Sequence, residues 1–312
     1  MMPTRDAFSV TAGPGKPLTQ LDRYLEQYFR ALVVGDRFSD LYVIRTEDVT
    51  SSLDLTRLPR MCMLVDILDG AHLHHRQLSN WCSAITVFDR SDGRILGAYV
   101  AVPAVEKFYY ATAADSGAFV LNVPGLASIE SRPKDKDFDL TRGRSGGWNR
   151  IPVRVPNGTT ALANATVCLY AQRCSHLRTV LAALNSSRLA TWLTEVTKAD
   201  GELQTAGTPG IGFRLLNLGG NPMLVRLSDG GTDVVIEVVG ADANDWVPGA
   251  YIALKSGAYV GDLTGGRIDE AALSRALLGL GRDRTSYIAA ANEELYCKTV
   301  DLLRSDEPDP LD

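Results

Sequence analysis

The chain has 312 residues, 45% of them hydrophobic and 22% charged, with a formal net charge of −5. This is globular composition, enough for two domains of roughly 100–200 residues or one large layered one, and it excludes a disordered or fibrous protein. An acidic chain has no bulk attraction for a nucleic acid polymer or an anionic membrane. The longest apolar run, around Ile95 to Val105, falls far short of the roughly 20 residues a membrane span needs. The N-terminus lacks the apolar stretch of a signal peptide. Five cysteines (Cys62, Cys82, Cys168, Cys174 and Cys297) form no CxxC pair. They read as reduced and buried, which places the protein in the cytoplasm.

In chain order, Leu18 to Val34 carries apolar residues at helical spacing, with Asp22 near its start. Tyr42-Val43-Ile44 predicts a short strand that ends at Arg45-Thr46-Glu47-Asp48. Met61 to Val65 predicts a buried strand broken at Asp66. Cys82 to Asp89 and Ile95 to Val102 predict a hairpin around Ser91-Asp92-Gly93-Arg94. Phe108 to Ala111 and Ala118 to Val120 predict two more strands. Residues 131–150 are charged and Gly-rich and read as an exposed loop or linker.

The second half alternates strands with helices. The pattern predicts strands at Ala165 to Tyr170 and Val234 to Val239, and helices at Leu177 to Ala183, Val247 to Ser256 and Tyr287 to Leu303. The division is therefore an N-terminal α+β half over 1–155 and a C-terminal α/β half over 156–312, with an acidic tail from about residue 305.

The densest chemical signal is Val65-Asp66-Ile67-Leu68-Asp69-Gly70. Two carboxylates where a buried strand breaks can turn toward one point, and glycine lets a ligand approach the backbone. Bare, they repel each other and one pKa rises, a conflict that a divalent cation resolves. The same residues also suit a solvated Asp-Gly turn. Glu47 lies nineteen residues before Asp66, and Asp245 leads into an apparent helix, where an acid also serves as a cap. Hard cations such as Mg²⁺ prefer such oxygen donors. His72, His74 and His75 follow the motif without a partner spaced to complete a zinc site, and read as a loop.

Taken together these motifs resemble the inositol monophosphatase-like superfamily of metal-dependent, lithium-sensitive phosphatases. The family's Asp-Pro-Ile/Leu-Asp-Gly-Thr motif is matched by Asp66-Ile67-Leu68-Asp69-Gly70-Ala71, and its earlier Glu-Glu element by Thr46-Glu47-Asp48. The late Trp-Asp motif is matched by Asn244-Asp245-Trp246-Val247-Pro248-Gly249-Ala250. Asp115-Ser116-Gly117-Ala118-Phe119 resembles the family's Gly-Ala-Phe turn, and Tyr287 to Asn292 its terminal helix. The match runs in family order from about residue 18 to 303.

The resemblance implies an α/β (α+β) protein with the layered α/β/α/β/α sugar-phosphatase fold. It implies a Mg²⁺-dependent phosphomonoesterase that hydrolyses a small phosphorylated polyol, sugar or nucleotide by metal-activated water, as a homodimer. Glu47, Asp66 and the Leu68 carbonyl would hold one Mg²⁺. Asp66, Asp69 and Asp245 would hold a second, and Asp22 would help a third, weaker ion. Glu47, Asp66 and Asp69 form the catalytic set. The backbone N–H groups of Gly70 and Ala71 would face the phosphate, and Glu237 would accept a substrate hydroxyl.

Three positions depart from the family: Ala71 replaces a Thr that orients the attacking water, Ile67 replaces a Pro, and Asn244 replaces the Trp before the late Asp. The loss at Ala71 keeps open a second reading, a catalytically impaired relative that binds metal and a phosphorylated ligand.

Overall fold

The structure is a computed structural model. It describes residues 10–11, 18–19, 41–45, 49, 53–70, 73, 80–123, 151–156, 162–171, 174–183, 194 and 213–303. Fourteen strands and five α-helices fall among these residues.

Val10–Thr11 (β1) and Leu18–Thr19 (β2) form a small antiparallel pair. A helix expected from Leu18 is therefore not what begins there, and the rest of that segment, including Asp22, lies outside the described residues. Leu41–Arg45 (β3), Met61–Asp69 (β4), Cys82–Asp89 (β5), Ile95–Val102 (β6), Lys107–Thr112 (β7), Ala118–Asn122 (β8) and Ile151–Val153 (β9) form the first sheet, in sequence order. β3 runs parallel to β4 and every other pair is antiparallel. β5 and β6 alternate buried and half-buried residues, as expected of strands with one face on the core. Rings of Tyr99, Tyr110 and Phe119 stack across β6, β7 and β8, with centroids 6.4 and 5.5 Å apart.

The second sheet has the order β11-β10-β12-β14-β13. Its strands are Thr166–Leu169 (β10), Arg214–Leu216 (β11), Val234–Ala241 (β12), Tyr259–Gly261 (β13) and Thr285–Ala290 (β14). β10, β11 and β12 are mutually parallel, and β14 is antiparallel to both its neighbours.

The helices are Cys174–Ala183 (α1), Asn221–Leu227 (α2), Ala243–Ser256 (α3), Glu270–Leu278 (α4) and Glu293–Leu303 (α5). α3 touches β4 to β8 of the first sheet and β13 and β14 of the second, and α2 touches β5, β6 and β12. α3 thus lies between the two sheets. Its burial on nearly all sides, from Ala243 and Asn244 to Ala253 and Ser256, follows from that position. α1 packs on β12, and α5 on β13 and β14. Among the described residues no helix is long and apolar enough to cross a membrane.

Three expectations need correcting. Tyr287 to Leu303 is not one helix: Thr285–Ala290 is a strand, and only Glu293–Leu303 is helical. The strand is interior to its sheet and Tyr287 to Ala290 are fully buried, so it shows no alternation to distinguish it from a buried helix. The helix expected from Val247 starts at Ala243, which puts Pro248 inside it. Cys174 and Cys297 are exposed on helices, while Cys62, Cys82 and Cys168 are buried, and all five are free thiols.

Candidate metal centre

β4 does not stop at Asp66 but continues through the motif to Asp69. Residues three apart on a regular strand face opposite sides. Here Asp66 pairs with Ala84 and Asp69 with Cys82, so three residues of β4 oppose two of β5. The extra residue of this bulge turns both carboxylates to the same side. The Asp66 carboxylate accepts the Leu68 N–H at 3.2 Å, and Ser83 Oγ donates to the Ile67 carbonyl at 2.6 Å, which fixes the bulge. Gly70 closes it at φ +84, where a Cβ would meet the Asn80 carbonyl oxygen at 2.9 Å. A side chain fits neither that conformation nor that space.

Asp245 arrives from the other sheet. It lies in the first turn of α3, just after β12, and α3 carries it between the sheets. Asp66, Asp69 and Asp245 each place a carboxylate oxygen within 4.8 Å of the other two. All three are half-buried. Burial pushes the Asp69 carboxyl well above the usual carboxylate range, and the charges of Asp66 and Asp245 push it further.

Neutral donors surround the cluster. Asn244 Nδ2 donates to Asp245 Oδ1 at 2.6 Å and to Asp66 Oδ2 at 3.3 Å. Asn221 Nδ2 donates to Asp69 Oδ2 at 3.1 Å, and the Cys82 thiol donates to the same oxygen at 3.7 Å. Burial and the nearby carboxylates hold that thiol well above its ordinary pKa, and the group of converging ligand atoms is made of carboxylates alone. The donor set is therefore three carboxylates converging on one point with no soft ligand, which fits a hard divalent cation such as Mg²⁺ or Ca²⁺.

Beside the cluster lies a buried polar group. Glu237, 4% exposed, accepts the Val239 N–H at 3.0 Å. Burial pushes it up to about 7; the Val239 and Gly240 N–H groups and Arg284 oppose the shift, and Asp245 adds to it. Tyr287 stacks on Trp246 with centroids 5.2 Å apart. Burial, with the charges of Glu237, Asp69 and Asp245 behind it, holds the Tyr287 hydroxyl well above its ordinary pKa. That hydroxyl and Trp246 Nε1 have no hydrogen-bond partner among the described residues.

Of the residues singled out in the sequence, the fold brings together Asp66, Leu68, Asp69, Gly70, Glu237 and Asp245. Glu47, Asp22, Ala71, His72, His74 and His75 lie outside the described residues. β3 ends at Arg45 beside Val65, the residue before Asp66. Sequence reasoning missed Asn221 and Cys82, and it treated Asn244 only as a lost Trp. No local pattern in the sequence pointed to Asn221, whose partners come from β4 and α3.

No protein-family model matches the chain, and no curated protein matches it. Solved structures do. A hypothetical protein from Pyrococcus horikoshii with similarities to inositol-1 monophosphatase superposes with a TM-score of 0.60 at 15% identity, covering 96% of this chain and 90% of its own. A calcium-bound inositol monophosphatase family protein from Staphylococcus aureus gives 0.61 at 14% identity, covering 97% and 89%. An inositol monophosphatase/NADP phosphatase complexed with Mg²⁺ and phosphate gives 0.60 at 14% identity, covering 96% and 87%. The chain therefore has the layered α/β fold of the inositol monophosphatases. At these identities the likeness establishes architecture, and the chemistry rests on the site.

Proposed function

We propose that this chain is a Mg²⁺-dependent phosphomonoesterase of the inositol monophosphatase-like superfamily, acting on a small phosphorylated polyol, sugar or nucleotide. The observation that carries this reading is the convergence of Asp66, Asp69 and Asp245, from two sheets, within 4.8 Å. It is supported by structural relatives described as bound to Mg²⁺ and phosphate or to Ca²⁺.

In this reading Asp66, Asp69 and Asp245 hold one cation. Glu47, Asp66 and the Leu68 carbonyl hold a second, and Asp22 helps a third, weaker one. Bound divalent cations supply a water of lowered pKa and neutralise the phosphate oxygens and the leaving alkoxide. The protein supplies the rest. The Gly70 and Ala71 N–H groups face the phosphate, an approach that the glycine's missing side chain leaves open. Glu237, ionised above about pH 7, accepts a substrate hydroxyl. The site lies between the halves 1–155 and 156–312. A homodimeric, cytoplasmic enzyme is the assembly and location that go with this family.

The test is phosphate release from inositol 1-phosphate, fructose 1,6-bisphosphate and 3′-phosphoadenosine 5′-phosphate, with Mg²⁺ or with chelator. At least one ester should be hydrolysed only with Mg²⁺. Asp66→Asn should abolish that turnover while circular dichroism shows an intact fold. Turnover that survives chelator, or survives Asp66→Asn undiminished, would overturn the proposal.

A further inference from the structure

Helix α3 contains a proline at Pro248, inside its second turn. Proline has no N–H, so the carbonyl four residues earlier, that of Asn244, loses its helical donor. A buried carbonyl left without a donor is destabilising. The vacancy is filled from another helix. Asn221, fully buried in the first turn of α2, donates from Nδ2 to the Asn244 carbonyl at 2.8 Å. On the far side of the proline, the Gly249 N–H donates to Asn221 Oδ1 at 2.9 Å. The amide thus spans the break with both its ends.

Its orientation follows from its partners. The Gly249 N–H needs an acceptor, and the Asn244 carbonyl needs a donor. The backbone is shaped to admit it. A Cβ on Gly249 would meet Leu224 Cβ at 2.7 Å and Asn221 Oδ1 at 3.1 Å. Gly220, at φ +71, turns the chain into α2 while lying against Asp69 Oδ2 and the Asp245 carbonyl, at 3.4 and 3.5 Å from where its Cβ would be.

Asn221 Nδ2 has a second hydrogen, and it points at Asp69 Oδ2, 3.1 Å away. One amide is therefore bonded to the backbone immediately before Asp245 and to the carboxylate of Asp69. It joins the two elements that bring these acids together. Like charges held this close repel, so each needs something to hold it in place. A Lys or Arg would do so, but its positive charge would compete with a bound cation. An amide holds the carboxylate with no net charge.

We propose that Asn221 is a positioning residue for the divalent-cation site: its amide, seated in the gap that Pro248 leaves in α3, fixes Asp69 relative to Asp245 so that both can bind one cation. This rests on the reading of Asp66, Asp69 and Asp245 as a cation site.

The test is calorimetric Mn²⁺ binding to the full chain, in four forms: wild type, Asn221→Ala, Pro248→Ala and the double variant. Asn221→Ala is expected to weaken Mn²⁺ binding at least tenfold, at a temperature where circular dichroism shows it folded. The Pro248→Ala substitution restores a helical N–H for the Asn244 carbonyl. Because that N–H competes with Asn221 for the carbonyl, Pro248→Ala alone is expected to weaken Mn²⁺ binding, but by less than Asn221→Ala does. In that background Asn221→Ala is expected to weaken binding by a smaller factor, which reflects the Asp69 contact alone. A purely structural role would lower the melting temperature in chelator and leave Mn²⁺ affinity unchanged, and that result would overturn the proposal. An equal loss in both backgrounds would overturn the role of the helix gap. Should Asn221→Ala fail to fold, the pair in the Pro248→Ala background decides: weaker binding on removing Asn221 supports the proposal, and equal binding overturns it. A wild-type chain that binds no Mn²⁺ would overturn the cation-site reading itself.

Discussion

Replacing Asp69 by Asn should make the metal-free protein more stable while destroying its response to metal. The carboxylate oxygens of Asp66, Asp69 and Asp245 lie within 4.8 Å of one another. At an effective dielectric of about 20, two ionised groups at that distance repel by about 3.5 kcal/mol. Asp69 takes part in two of the three pairs. Protonation relieves part of the repulsion, since Asp69 is pushed well above its ordinary pKa, and solvent around three half-buried side chains screens more of it. The surviving gain should be about 2–3 kcal/mol, or roughly 4–12 °C in melting temperature at about 2–4 °C per kcal/mol for a large domain.

The sign with pH follows from the same shift. A carboxyl whose folded pKa exceeds its unfolded one makes the fold most stable below the unfolded value, and that stability is lost as pH rises through the folded one. Wild type in chelator should therefore lose stability as pH rises from the ordinary carboxylate range, and Asp69→Asn should lose less. Added Mg²⁺ should raise the wild-type melting temperature, because ligand binding to the native state stabilises it, and leave the variant unmoved. The assay is thermal melting with chelator and with Mg²⁺, across pH. A variant no more stable than wild type in chelator, or one that keeps the full Mg²⁺ shift, would refute the picture of a repelling cluster built for a cation.

Two further outcomes are expected. For a hydroxyl-bearing substrate, kcat/KM should fall as pH drops through about 7, where Glu237 takes up its proton; Glu237→Gln should lose that limb and gain stability relative to wild type as pH rises toward 7, and a limb that persists in the variant would acquit Glu237. Li⁺ should inhibit turnover in an uncompetitive or mixed fashion, because Asp69 and Asp245 are both in place; a lithium titration at saturating substrate checks this, and complete insensitivity would point to a remodelled site.

Much of the architecture was legible in the sequence because it depends on local pattern. The β5–β6 hairpin announces itself by apolar runs around Ser91-Asp92-Gly93-Arg94. Asp66 and Asp69 stood out because a charge pair interrupts an apolar run. Periodicity failed where burial is complete: Tyr287 to Ala290 is apolar on both faces, and its alanines, Ala289 and Ala290, favour a helix that the sheet overrides. The start of α3 was also misplaced. The helix expected over Val247 to Ser256 would have had Pro248 in its first turn, where proline is tolerated, whereas α3 begins at Ala243 and carries the proline inside. The role of Asn221 was invisible for a different reason. Its partners, Asp69 and Asn244, lie far away in sequence and meet it only once both sheets are in place.

The most direct measurement is a crystal structure of the chain soaked with Mn²⁺ and inorganic phosphate, with anomalous diffraction recorded for manganese. An anomalous peak bonded to the carboxylates of Asp66, Asp69 and Asp245 is expected, with phosphate against it on the side of the Gly70 N–H. Manganese bound elsewhere, with those three carboxylates bare, would contradict that expectation.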